Sequence, residues 1–411
     1  MKQLSIIILT FALLLCACAA DTPPSEPSSE PPTARKQTVA LPCFAPQLYP
    51  DEESAAHPPP DPREEAVSAL LASMSIEEKV GQLFFARCPT YKQIEKISEY
   101  HLGGYLLFTR DFQNSAGEWL TEEEFTSKIA SYQSAAAIPL LIGVDEEGGT
   151  VARASRNPNL FSAKRKSPRT IYKNGGMEAL LQDTFDCNSR LLSLGINVNF
   201  APVADVSVSS GDFIYDRTLG LDAAATAQYI AAVVAQMNAC TVNGETRPIG
   251  SVLKHFPGYG NNIDTHTGIA IDNRSYETFV REDFLPFIAG IEAGAGAVLV
   301  SHNIVTCMDA SLPASLSGEV HRILREELGF DGVILTDDLA MDAVASYATD
   351  ARAAVLALLS GNSMIVTTDF ETQINEILTA VASGEISEQL IDSAVRCVLY
   401  WKYDLGLLQG E

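Results

Sequence analysis

The sequence predicts an α/β fold, a (β/α)8 TIM-type barrel built as a single domain behind a signal peptide and a flexible tether. Three observations lead there. Between Ser68 and Leu408 one pattern recurs: a short apolar run, a polar loop, then a helical stretch. The runs are continuously apolar and do not alternate, which suits strands covered on both faces. Charged residues collect just after the runs all along the chain, as the C-terminal loops of barrel strands collect at one rim. An open doubly wound sheet is the competing arrangement. It would gather its charges at one switch point, and no G-x-G-x-x-G follows the first run to support dinucleotide binding.

In order, the expected strands are Val80–Ala86, Gly104–Phe108, Pro139–Val144, Ile196–Ala201, Ile249–Leu253, Ala297–Ser301, Gly332–Leu335 and Ser363–Thr367. They are rich in Val, Ile, Leu or Phe, and several are flanked by Gly or Pro. The helical stretches between them include Thr121–Ala137, Gly175–Leu194, Ala223–Asn243, Tyr276–Ala293, Gly318–Leu328 and Ala345–Ser360. The chain closes on V-L-Y-W-K-Y-D-L-G-L-L-Q, and no second set of strands follows. One catalytic barrel over residues 66–411, with no appended sandwich domain, is therefore expected.

The segments ahead of the barrel differ in composition. Residues 1–18 read as a secretion signal, with Lys2 as the positive end and Leu4–Leu15 as the apolar stretch. That stretch is shorter than the about 20 residues a spanning helix needs. In Leu15-Cys16-Ala17-Cys18 a small residue precedes Cys18 and a Leu stands three before it, a pattern that resembles a bacterial lipoprotein box. Cys18 would then carry lipid and become the mature N-terminus; an ordinary signal peptide cut near Ala19 or Ala20 is the alternative. Residues 19–65 are Pro/Ser/Glu-rich at their start and predict an extended, solvated tether, interrupted by the apolar patch Val39–Tyr49.

The 52 acidic and 28 basic residues give a formal charge of −24. Nucleic-acid binding needs a basic patch, so that class is excluded, as is broad adhesion to anionic lipid. Of the eight cysteines, Cys43, Cys88, Cys187, Cys240, Cys307 and Cys397 remain beyond the signal. They show no C-x-x-C, so neither a zinc pattern nor a dense disulfide framework is indicated. Buried thiols are expected, and a Cys43–Cys88 bridge pinning the tether is the alternative.

The strand ends carry the chemistry. Asp145-Glu146-Glu147 follows the third run, Asp205 and Asp216-Arg217 the fourth, and Lys254, His255, Asp264 and His266 the fifth. His302-Asn303 follows the sixth and Asp337-Asp338 the seventh. Paired charged side chains supply both donors and acceptors, as the hydroxyls of a neutral sugar require. Asp337 emerges where Val333–Leu335 should line the barrel, and a carboxylate there can attack an anomeric carbon along the retaining pathway. Asp338 is expected to cap a helix starting near Leu339. His266, oriented by Asp264 two residues before it, suits a general acid and base. Asp145, Arg217, Lys254 and His255 suit hydroxyl clamps, with a surface pair between Arg217 and Asp216 as the bland alternative. A metal held by His255, His266, Asp264 and His302 matches no known ligand spacing, so no metal and no cofactor is expected.

Taken together, L-G-G-Y-L-L-F, G-V-D-E-E-G-G-T-V-A-R, G-I-N-V-N-F-A-P-V-A-D-V, D-R-T-L-G, K-H-F-P-G-Y-G-N-N-I-D-T-H and T-D-D-L-A-M resemble the N-terminal domain of glycoside hydrolase family 3, in its β-N-acetylhexosaminidase branch. The resemblance runs over about 330 residues, in order. It implies Asp337 as nucleophile, His266 as acid/base, Asp264 as its partner, and Asp145, Arg217, Lys254 and His255 as sugar-binding positions. It implies a retaining exo-β-N-acetylglucosaminidase acting on peptidoglycan-derived glycans, with an oligosaccharide substrate; the signal and tether add the expectation of a lipid anchor outside the bacterial cytoplasmic membrane, and no obligate protein partner is expected. A β-N-acetylglucosaminide phosphorylase and a non-catalytic wall-glycan-binding lipoprotein are the alternatives. Tyr259 replaces a common His, Thr150 a common Arg, and D-R-T-L-G a usual D-R-S-F-G, which leaves the aglycone side open.

Overall fold

The computed structural model describes residues 61–262, 270–341, 344, 347 and 350–408. Eight parallel strands form its centre: β1 (Phe84–Arg87), β2 (Gly104–Leu107), β3 (Leu141–Val144), β4 (Val198–Asn199), β5 (Gly250–Phe256), β6 (Ala297–Val300), β7 (Val333–Thr336) and β8 (Ile365–Thr367). Their order is β7-β6-β5-β4-β3-β2-β1-β8. A parallel bridge between Leu335 and Met364 joins β7 to β8, and Ser363 N–H donates to Ile334 O at 2.8 Å across the seam. The sheet thereby closes into the expected barrel. Helices follow the strands, among them Glu122–Ala135, Pro168–Ser193, Ala223–Asn238, Phe284–Glu292, Asp350–Ser360 and Phe370–Ala382.

Each of the eight apolar runs holds a strand, and the boundaries move most at the first and the fifth. The first run was expected to start at Val80, and the chain is helical there, over Ile76–Gln82. Ser75 and Glu78 form a capping box that fixes this helix: Ser75 Oγ accepts from Glu78 N–H at 3.2 Å, and Glu78 Oε2 accepts from Ser75 N–H at 2.8 Å. The fifth strand continues past Leu253 to Phe256, so Lys254 and His255 lie within the sheet. The helix expected over Tyr276–Ala293 contains a π turn at Phe279–Asp283. The first helix, Pro62–Ser73, is capped by Asp61 and buries Val67 and Leu71, so the folded barrel reaches into the segment assigned to the tether. Residues 1–60, including Cys18, Cys43 and the expected signal, lie outside the described residues. Cys88, Cys187, Cys240 and Cys397 are buried thiols and Cys307 is exposed.

Alternation along each strand divides the side chains between two cores. Phe85, Leu106, Leu141, Val252, Leu299, Leu335 and Val366 point inward and pack in one cluster. Their neighbours Phe84, Tyr105, Ile142, Leu253, Val298, Ile334 and Ile365 face the helices in another. Within the barrel, the Phe85 and Phe200 rings meet edge to face at 5.1 Å. Gly143 leaves room for them: a Cβ there would stand 2.7 Å from each ring.

The last helix, Glu388–Asp404, plugs the end of the barrel where the strands begin. Its Cys397, Val398, Trp401 and Leu405 belong to the interior cluster. Trp401 lies against Gly250, which opens β5, and against Gly296, just before β6; a Cβ on Gly296 would stand 2.2 Å from the indole nitrogen. Removing the indole should leave a cavity at the barrel floor. Trp401→Ala is expected to lower stability by about 3–5 kcal/mol in urea unfolding, with an unchanged m-value. A shift near zero would show that the plug does not hold the barrel.

Candidate active site

The inward register sets what stands at the opposite end of the barrel. One alternation beyond Phe85 is Arg87, beyond Leu106 is Phe108, and beyond Gly143 is Asp145. Likewise Val252 leads to Lys254, Leu299 to Ser301, Leu335 to Asp337 and Val366 to Thr368. The faces that pack apolar side chains inside the barrel thus deliver polar ones to its mouth, at the carboxyl ends of parallel strands.

Four charges from three segments form one knot there. Lys254 Nζ lies 2.7 Å from Asp145 Oδ1 and 2.6 Å from Glu147 Oε1. Arg217 donates to Glu147 twice, from Nε at 2.9 Å and Nη2 at 2.7 Å. The Lys254 and Glu147 side chains are almost wholly buried. Two carboxylates and two cations balance, which lets charges persist away from water. Burial pushes the Glu147 carboxyl up, but Arg217 and Lys254 outweigh it and hold the group at about 2.

His255 joins the knot from the next position. The β5–β6 register shifts between Leu299 and Val300: Lys254 faces Leu299 and Phe256 faces Val300, leaving His255 as the extra residue. Such an irregularity re-aims a side chain, so neighbours that would alternate both serve one site. Arg217 Nη2 donates to His255 Nε2 at 2.9 Å. A guanidinium only donates, so Nδ1 carries the proton and donates to Asp205 Oδ2 at 2.7 Å. Asp205 also accepts from the backbone N–H of His255 and of Tyr259, at 3.0 and 2.8 Å. Arg217 therefore does not pair with Asp216; that residue bonds Arg169 at 2.8 Å.

Asp337 follows β7, its backbone N–H donating to Val300 O at 3.0 Å, and its Oδ1 accepts from Asp338 N–H at 2.8 Å. Asp338 does not cap a helix at Leu339, as the sequence suggested. Its Oδ1 accepts from Ala340 N–H at 3.0 Å, its Oδ2 accepts from Thr368 at 3.3 Å, and Leu339 and Ala340 form a turn. Burial and the neighbouring Asp337 charge push the Asp338 carboxyl up, against Ala340 N–H and Arg87. His302 bonds Ser315 Oγ through Nδ1 and Asp338 O through Nε2, at 2.7 and 3.0 Å. Both ring nitrogens of His255 and of His302 are thus engaged within the protein. No cluster of three or more metal-ligating side chains occurs among the described residues.

Asp264 and His266 lie outside the described residues. The described chain on either side is tied down by Arg274. It bonds Asp272 at 2.8 Å, Asp283 at 2.7 Å and Gly258 O at 3.3 Å, and a Cβ on Gly260 would stand 2.4 Å from its guanidinium carbon.

The structure thus brings Asp145, Arg217, Lys254 and His255 into one network and puts Asp337 on the same mouth. It adds two residues to which the sequence reading gave no role. Glu147 holds both cations, and Asp205 holds His255. Their signal was present, since each is a carboxylate just past an apolar run, but their partners are distant in sequence.

The model of the glycosyl hydrolase family 3 N terminal domain matches residues 75–400. A β-hexosaminidase of Nitrosomonas eutropha is 30% identical over 300 residues, covering 71% of this chain and 81% of its own. One from Xylella fastidiosa strain M23 is 31% identical over 315 residues, 75% of this chain and 89% of its own. The structure of a glycoside hydrolase family 3 β-N-acetylglucosaminidase from Paenibacillus sp. str. FPU-7 superposes with a TM-score of 0.73 at 29% identity. That match covers 82% of this chain but spans 64% of the Paenibacillus chain.

The charge knot has a pH signature. A carboxyl held below its unfolded value stabilises the fold above the unfolded pKa and loses that contribution as pH falls through the folded one. The stability advantage of the parent protein over Glu147→Gln should fall from roughly 3 kcal/mol at pH 7 to about half that at pH 3, by urea titration. A difference that does not change with pH would contradict the ionised knot.

Proposed function

The chain belongs to glycosyl hydrolase family 3, and from that premise we propose that it is a retaining exo-β-N-acetylglucosaminidase that removes terminal β-GlcNAc from peptidoglycan-derived glycans. The observation that carries this reading is the inward register of Asp337, which puts its carboxylate on the mouth that also holds Asp145, Lys254 and Arg217. A carboxylate nucleophile and a fixed set of hydroxyl partners are what a retaining glycosidase needs.

In the first step Asp337 attacks the anomeric carbon while His266 protonates the departing oxygen. The glycosidic bond breaks, and an ester to Asp337 forms. In the second step His266, now neutral, takes a proton from water; the water oxygen bonds the anomeric carbon and the Asp337 carboxylate leaves. A neutral imidazole beside an anionic nucleophile avoids two negative charges at one site, and Asp264 would orient it. Lys254 has three donors, two of them on Asp145 and Glu147, which leaves one for a sugar hydroxyl. Arg217 keeps Nη1 unspent, since its other nitrogens hold Glu147 and His255. His255 accordingly acts through Arg217, fixing its fork for the sugar.

The same reading extends to the chain ahead of the barrel. Lipidation at Cys18 would tether the enzyme outside the cytoplasmic membrane, and the Pro/Ser/Glu-rich segment would give it reach toward wall fragments.

Release of 4-nitrophenol from its β-GlcNAc and β-glucose derivatives tests the activity. The protein is expected to prefer the first. Asp337→Asn should lose about three orders of magnitude or more in kcat/KM, and His266→Ala should lose more with poor leaving groups than with good ones. Near-native rates in both variants would sink the assignment.

A further inference from the structure

We propose that His302 is a positioning residue for Asp337: through the carbonyl of Asp338 it holds the turn whose backbone N–H bonds the Asp337 carboxylate. The inference rests on the reading of Asp337 as nucleophile and deepens it, by naming what aims that carboxylate.

The first observation is a buried histidine with two directed bonds. His302 stands two residues beyond β6 and is fully buried, as is Ser315. Its Nε2 lies 3.0 Å from Asp338 O, and its Nδ1 lies 2.7 Å from Ser315 Oγ. A carbonyl oxygen only accepts, so Nε2 carries a proton and donates to it. In the neutral ring Nδ1 then has only a lone pair, and the Ser315 hydroxyl donates to that. The hydroxyl selects the tautomer, and the tautomer makes the Asp338 carbonyl a partner.

The second observation is the frame behind Ser315. Its backbone N–H donates to Ser301 O at 3.0 Å, and Ala314 N–H donates to Asn303 O at 2.8 Å. Buried Asn362, just ahead of β8, donates from Nδ2 to Ser315 O and to Ala357 O, each at 2.8 Å. Ser315 is thus tied both to the segment that carries His302 and to the approach to β8. A buried polar chain of this kind fixes one arrangement, because breaking any link strands a group away from water.

The third observation is where the chain leads. The Asp338 carbonyl shares its planar peptide group with Leu339 N–H, which donates to Val366 O of β8 at 3.1 Å. His302 and Val366 therefore hold that peptide from opposite sides. Two peptides earlier, Asp337 N–H donates to Val300 O of β6 at 3.0 Å. The peptide between Asp337 and Asp338 is flanked by two fixed neighbours, and its N–H donates to Asp337 Oδ1 at 2.8 Å.

That last bond gives the frame a chemical task. A donor on Oδ1 sets the plane of the carboxylate, and with it the line along which an oxygen reaches the anomeric carbon. The bond also strengthens as charge returns to the carboxylate. When the bond from Asp337 to the anomeric carbon breaks in the second step, its electron pair goes back to the carboxylate that Asp338 N–H already faces. His302 touches neither sugar nor Asp337 oxygen in this scheme and acts through the Asp338 peptide.

Substitutions separate the two ring nitrogens. Gln puts an amide N–H as many bonds from the backbone as Nε2, Asn reaches only as far as Nδ1, and Leu offers neither. With the 4-nitrophenyl β-GlcNAc substrate, His302→Leu and His302→Asn should lose about 30- to 100-fold in kcat while the inhibition constant of free GlcNAc stays within about twofold. His302→Gln should stay within about fivefold of the parent in kcat, and Ser315→Ala should fall between. A merely structural role would weaken GlcNAc binding together with kcat and would not tell Gln from Asn.

Two readouts need no turnover. Nitrogen-15 NMR of histidine-labelled protein should show His302 protonated at Nε2, and the Asp338 amide should exchange with solvent about tenfold faster in His302→Asn than in the parent or His302→Gln. Lack of turnover in the parent would strike the proposed function alone, and these two readouts would then decide the present inference. Circular dichroism and thermal unfolding check the folds; should His302→Leu fail to fold, the Asn and Gln pair carries the test. A His302 ring protonated at Nδ1 alone, equal kcat in the Asn and Gln variants, or Asp338 exchange that is the same in the parent and His302→Asn overturns the proposal.

Discussion

The two-residue period of eight parallel strands is the constraint from which the rest follows. Once Phe85, Leu141, Val252, Leu299 and Leu335 are committed to the barrel interior, the next inward positions must stand at its mouth. Arg87, Asp145, Lys254 and Asp337 occupy them. A slip of one residue in any strand would exchange a mouth residue for one that faces the helices. Core packing and the arrangement of charges are therefore one problem, and Trp401 at the floor of the barrel bears on the geometry of the mouth.

The second constraint is charge balance. Lys254 and Arg217 share Glu147, Lys254 also holds Asp145, and Arg217 also holds His255, which Asp205 orients. Each member has its geometry set by at least one other, so the knot is ordered by the fold itself. Such preorganisation spares the bound state part of the cost of ordering side chains. Arg87 and Arg153 lack this balance. A compensated knot and two arginines whose Nε atoms have no partner stand on one rim.

Much of this was legible in the chain itself. Continuous apolar runs located all eight strands, because a strand buried on both faces cannot disguise its composition. The first boundary was misplaced although Ser75 and Glu78 spelled out a capping box, since the helix they start is itself apolar at Val80. The fifth was cut short because Lys254 and His255 look like loop residues until the pleat puts them at the mouth. Asp145, Arg217, Lys254 and His255 were singled out from their place after strands, and they do converge. Glu147 and Asp205 were seen but given no task, for their meaning lies in partners that only the closed barrel brings near. The unpartnered state of Arg87 and Arg153 has no sequence signal at all, because it is a property of what surrounds them.

The central claim is that the Asp337 carboxylate bonds the sugar directly. Incubation with a slow, fluorinated GlcNAc derivative, followed by proteolysis and mass spectrometry, tests that claim most directly. The account predicts one added glycosyl mass on the peptide that contains Asp337, absent from Asp337→Asn. A glycosyl mass on another carboxylate of the mouth, such as Asp145 or Asp338, or no adduct during measurable turnover, would contradict it.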